Sequence, residues 1–129
     1  MADASAVFTP NADYMDVTER FIEYYGTVAI DAAPDTYPTG GVTLSLTGAN
    51  IMTNDVPHDV RVWTDPPIGW IFGYDAGTTI ANGKILVFGF DGDNTGAITP
   101  LDEIANGTAV PAAVSGATIK CSFKVRKGR

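Results

Sequence analysis

The chain of 129 residues has one cysteine, Cys121, one histidine, His58, and only eight lysines and arginines, and each scarcity removes a class of function. A lone cysteine cannot close an intrachain disulfide or complete a CxxC metal pattern, so Cys121 reads as a small apolar core residue. His58 follows Pro57 at the start of a candidate strand, which reads as a surface or turn position. No serine or cysteine stands in a nucleophile context such as GxSxG. The glycine pair at Gly40 and Gly41 has no lysine after it and leads into a strand rather than a helix, unlike a phosphate-binding loop. No apolar run approaches the roughly 18 residues of a membrane span. The start, "MADASAVFTP", has neither a basic region nor a hydrophobic signal core. These absences predict a soluble domain made without export, with no enzymatic activity, cofactor or membrane partner. The length suits one domain that buries roughly two-thirds of its unfolded surface without a disulfide or metal staple.

What charge there is has the wrong sign for nucleic acid. The net charge is −7, and phosphate contacts need a surplus of lysine and arginine. The bases are also segregated. Lys120, Lys124, Arg126, Lys127 and Arg129 crowd the last ten positions, leaving three bases against all fifteen acids in residues 1–119. This strip is either a solvated strand edge with a frayed end, or a basic surface that docks on an acidic neighbour.

Hydrophobic periodicity points to strands. Over 117–127, Ile119, Cys121, Phe123 and Val125 alternate with polar residues, one face buried and one wet. His58 to Thr64 repeats this with Val60 and Val62 inward and Arg61 between them. "GKILVFGFD" from Gly83 is apolar on both faces, and "IGWIFGYD" from Ile68 sets Trp70, Phe72 and Tyr74 opposite Gly69 and Gly73. Asn82-Gly83 between these two segments predicts an antiparallel hairpin with a primed turn. The 14 glycines and 8 prolines punctuate short strands throughout. The expected fold is therefore all-β, a single β-sandwich, jelly-roll-like or barrel-like body over residues 16–129, with residues 1–15 as an extended N-terminal arm. Asp16 to Tyr25 is ambiguous: it holds a capping-box pattern, but runs on into β-branched "GTVAID", which favours a strand from about Glu19 to Asp31.

Candidate chemistry is sparse. "DGDNTG" from Asp91 opens like a calcium loop, making Asp91 and Asp93 weak metal candidates. However, its fifth position is threonine and no helix precedes it, so an acidic hairpin loop is the simpler reading. Asp102 and Glu103 are neighbours on a strand and point to opposite faces, which suits a turn residue and a structural partner better than paired catalytic carboxylates. Most aromatics read as core. Trp63 stands opposite Val60 and Val62 and is fit for an interface. Val7 and Phe8, isolated apolar anchors in the arm, and Lys124 and Arg126 in the basic strip complete the candidate interface set.

The stretch "DTYPTGGVTL" is all geometry. Pro38 fixes its own φ and extends Tyr37, while two glycines permit positive φ. It predicts a rigid corner feeding a strand.

In order along the chain, "YYGTVAID", "TYPTGGVTL", "DVRVW", "GWIFGYD", "GKILVFGFD", "LDEIANGT" and "ATIKCSFKVRKG" resemble the segments of the capsid decoration, or cement, proteins of tailed bacteriophages. The resemblance spans about residues 18 to 128. Departures are the "DGDNTG" loop, Phe90 and the basic terminus. The resemblance implies a β-sandwich or jelly-roll-like body, frequently trimeric, on the outside of the virion, clamping neighbouring major capsid proteins without catalysis or cofactor. It also implies self-association and synthesis in the host cytoplasm. The alternatives from the residues are a carbohydrate-binding or calcium-dependent ligand-binding sandwich of a phage fibre, using Trp63 and the Asp91 to Gly96 loop, or a neck or tail accessory protein.

Overall fold

The computed structural model describes residues 2–46, 56–66, 68–89 and 102–126, the side chains of residues 12–14 and 102 excepted. The fold is all-β. Its elements are β1 (Ser5–Val17), β2 (Phe21–Ile30), β3 (Val42–Ser45), β4 (His58–Thr64), β5 (Ile71–Asp75), β6 (Gly83–Gly89), β7 (Asp102–Glu103), one helical turn α1 (Ala112–Ser115) and β8 (Ile119–Arg126). They form an eight-stranded sheet in the order β4-β8-β2-β1-β3-β6-β5, with β7 added to β6. The end strands β4 and β5 approach each other, so the sheet curls into a nearly closed barrel.

Every ladder is antiparallel except β1 with β3. A parallel pair needs a crossover, and residues 31–41 provide it. Here the "YPTGG" corner lies. Gly40 and Gly41 both have positive φ, 82° and 111°, and the Gly41 N–H donates to the Pro38 carbonyl at 3.2 Å. A Cβ on Gly41 would sit 2.6 Å from the Ile85 carbonyl oxygen. Both the backbone conformation and the approach of β6 thus require glycine there.

Tyr37, on the same corner, is the largest fully buried side chain among the described residues. Its hydroxyl donates to Glu103 Oε1 at 2.6 Å and accepts the Val87 N–H at 3.2 Å. Its backbone N–H donates to Thr108, and its carbonyl accepts the Gly107 N–H, both at 2.8 Å. The corner is therefore sewn to β6, β7 and the 107–108 segment by one residue. Burial first, then the Glu103 hydrogen bond, pushes the Tyr37 phenol well above its ordinary range, opposed by the Val87 N–H. Glu103 is the structural partner that its sequence position suggested.

The core fills from alternate strand positions: Ala4, Ala6 and Phe8 before and in β1, Tyr24, Val28 and Ile30 in β2, and Ile119, Cys121, Phe123 and Val125 in β8. Tyr24 stacks on Phe123 with centroids 5.5 Å apart, and Phe8 meets Phe123 edge-on at 5.2 Å. Each such pair adds about 1 kcal/mol beyond its burial. Cys121 is buried as a packing residue, and burial raises its thiol pKa to about 12, so the reactive thiolate is suppressed.

Two expectations need correction, and one ambiguity is resolved. Residues 1–15 are not an arm outside a 16–129 body: β1 lies inside the sheet, hydrogen-bonded to β2 on one side and β3 on the other. The small alternating residues before and in it, Ala4 and Ala6, are buried without a strong hydrophobic signal. The ambiguous segment from Asp16 takes the strand favoured for it, β2 over Phe21–Ile30, entered through a hairpin turn rather than a helix. Thr18 Oγ1 donates to the Phe21 carbonyl at 3.0 Å and accepts the Phe21 N–H at 3.1 Å, turning the chain between β1 and β2. Finally, Asn82-Gly83 is not a tight primed turn. The β5–β6 register ends at Asp75 opposite Lys84, and Asn82 Oδ1 instead organises the longer connection by accepting the Thr78 and Thr79 N–H groups at 2.8 and 2.9 Å.

Candidate functional site

The outer face of β1, β2, β8 and β4 holds the strongest candidate. Ladder register fixes which side chains meet there. Thr9 stands opposite Thr27, Thr27 opposite Lys120, and Lys120 opposite Trp63. Residues directly opposite share a face, so these four form one row across four strands, about 14 Å long at ordinary strand spacing. The next row sets Tyr25 beside Ser122 and Ser122 beside Arg61.

A groove of about 580 Å³ runs over these rows, with Trp63, Lys120, Thr27, Thr9, Asn11 and Tyr25 among its walls and floor. Its far wall arises from a local irregularity. Between Pro10 and Met15, five residue steps of β1 are matched to two steps of β2, Gly26 to Tyr24, so β1 bulges away from the sheet. Just before the bulge β1 lies close on Gly26, where a Cβ would meet the Thr9 carbonyl oxygen and lie 2.6 Å from the Phe8 ring.

A second irregularity shapes the other end. In β4 three steps from His58 to Arg61 face two steps of β8, and Asp59 takes up the extra residue with a φ of 51°. Its carboxylate reaches Arg61 at 3.4 Å and Lys124 at 3.8 Å. Lys124 also faces Glu23 at 3.9 Å, and Lys120 pairs with Asp65 at 3.3 Å. The basic strip therefore meets acids of its own chain at two positions. Solvent screening leaves such exposed pairs at about 0–1 kcal/mol each.

The sequence candidates separate cleanly. Trp63, 39% exposed, stands at the groove rim, while Val7, 60% exposed, lies on the same outer face of β1. Lys124 belongs to the neighbouring charge cluster. Arg126 is exposed at the end of β8, opposite Phe21. Phe8, only 4% exposed, belongs to the core and is withdrawn from the interface set. Asp91 and Asp93 lie outside the described residues. Among the described residues, no group of three or more His, Cys, Asp or Glu side chains could hold a metal ion. His58 is exposed and meets Phe21 edge-on at 5.8 Å, while Cys121 faces the core, so the two do not form a nucleophile and base.

Compared with known proteins, the chain matches no family model, no curated protein and no solved structure.

Sequence reasoning missed Thr9, Thr27, Tyr25 and Lys120 as members of one site. Each looks like an ordinary solvent-facing strand residue, and only the register brings them beside Trp63.

Proposed function

We propose that this protein is a non-enzymatic structural component of a tailed-bacteriophage virion, which decorates the outside of the capsid and stabilises it by bridging neighbouring major capsid proteins. The observation that carries the reading is the ordered series of segments from "YYGTVAID" to "ATIKCSFKVRKG", which resembles such decoration proteins. The fold is compatible. Those segments supply β2, the corner and residues of every later strand from β3 to β8 of one barrel. Its outer face offers partly exposed aromatic, aliphatic and charged groups in adjoining rows, the mixture that suits an interface.

A cement of this kind needs no single strong site. Many copies of a modest contact, closed by symmetry, add up to a stable coat. Self-association as a homotrimer belongs to the same proposal. The net charge of −7 supports contact with protein rather than with the packaged nucleic acid.

The test is fractionation of intact particles. The protein is expected to co-purify with them, and mild stripping is expected to release it while leaving the shell whole. Dissolution of the shell on its removal would make it an essential shell component instead. Its absence from purified particles would overturn the proposal.

A further inference from the structure

The groove beside Trp63 has a chemistry that capsid bridging does not require. We infer that it is a saccharide-binding site, selective for a neutral pyranose. Its volume of about 580 Å³ lies within the range of small-molecule sites, about 300–1,000 Å³. That leaves room for one or two sugar rings.

The arrangement of side chains decides the ligand class. At the rim, a half-exposed indole presents a flat apolar face with a polar edge. From it a polar row runs away across the sheet: the Lys120 ammonium, then the hydroxyls of Thr27 and Thr9, with the Asn11 amide at the bulged wall. A pyranose has the matching duality, with axial C–H groups on one face and hydroxyls around its edge. Stacked on Trp63, it would direct those hydroxyls along the row.

Other ligand classes fit less well. A wholly apolar ligand would cover two hydroxyls and an ammonium without replacing their water, a cost of about 1–3 kcal/mol per group. A phosphate or other strong anion would meet the chain's net charge of −7 and, beside Lys120, the negative charge of Asp65 3.3 Å from that ammonium. An extended nucleic acid would also need a basic track, whereas Glu23, Asp59 and Asp65 intersperse the lysines here.

Single-site affinity is expected in the millimolar range, since the groove is open and supplies one stacking surface. On a particle carrying many copies, multivalency would convert such a site into useful adhesion to a polysaccharide. This goes beyond the capsid role, and its failure leaves that role untouched.

The two tryptophans, Trp63 and Trp70, provide an internal control, because Trp70 packs against the core. The isotopically labelled full chain would be titrated with methyl glycosides of glucose, galactose, mannose and N-acetylglucosamine, and with their short oligomers, while both indole N–H resonances are followed. The expected result is a saturable shift of the Trp63 resonance at millimolar concentration with at least one sugar, while Trp70 stays in place. Thr27→Val should weaken that binding about three- to tenfold, the loss of one hydrogen bond. If Thr27→Val alters the melting temperature, Thr9→Val serves as the second variant. The inference is overturned if no glycoside or oligomer shifts Trp63, if both tryptophans shift together, or if binding is unchanged in a folded threonine variant. A response to a proline-rich peptide but to no sugar also overturns it.

Discussion

Val7 and Phe8 are neighbours in the chain and opposites in the fold. Val7 is 60% exposed on the outer face of β1, whereas Phe8 is 4% exposed and packs edge-on against Phe123. The same division runs through β8, where Lys120 faces out and Cys121 in, and through β4, where Trp63 stands at the groove and Val62 packs against the core. The barrel thus places the core on one face and the exposed groups on the other, with period-two alternation separating the two. Substitutions on the inner face should unfold the protein, while those on the outer face should leave it folded and change only what it binds.

The largest expected effect belongs to the corner that holds the inner face in place. Gly41→Val combines an unfavourable φ of 111° with a clash against the Ile85 carbonyl. A cost on the order of 4 kcal/mol is expected, a large part of a typical domain's stability of about 5–15 kcal/mol. Loss of soluble, folded protein by circular dichroism is the expected outcome, and a normal melting curve would break the account of the corner. Phe8→Ala should follow at about 3 kcal/mol, measured by urea unfolding. Val7→Ser, one residue away, should stay within about 0.5 kcal/mol of the parent.

Tyr37→Phe should cost about 2 kcal/mol, because it leaves the Val87 N–H without its acceptor and Glu103 without its donor. The same interior predicts an alkaline limit. Burial raises the Tyr74 phenol to about 12 from 10.0 and the Cys121 thiol to about 12 from 9.0, and Tyr37 is displaced upward as well. A group whose folded pKa is raised stays protonated in the fold after the unfolded chain has begun to lose its proton. Its contribution is therefore complete below the unfolded value and is lost as pH rises through the folded one. Stability should decline from about pH 9 upward, and Cys121→Ala should make that decline shallower even where it lowers stability at neutral pH. An identical slope in the variant would show that the thiol does not participate.

The division between faces was legible in part. β8 and β4 announce themselves by strict alternation, and the "YPTGG" corner by residues whose backbone preferences leave few alternatives. β1 did not, because Ala4 and Ala6 bury little surface and the bulge after Pro10 breaks the period. Val7 and Phe8 consequently looked like two equivalent anchors of a free arm, whereas pairing with β2 and β3 gives them opposite roles. The groove was less legible still. Trp63 was visible as an aromatic on the wrong side of its strand, but Thr9, Thr27 and Lys120 join it only through register between strands far apart in sequence. Within the charge cluster, a left-handed Asp59 could not be read from an aspartate in a β-rich segment.

The most direct test of the decoration role is rebinding to particles stripped of this protein. Purified wild-type protein is expected to rebind saturably and to restore the particles' resistance to heat. Val7→Asp, which lies outside the groove and leaves the barrel folded, should rebind more weakly. Failure of the folded wild-type protein to associate with the particles, or association that leaves their heat resistance unchanged, would contradict the account.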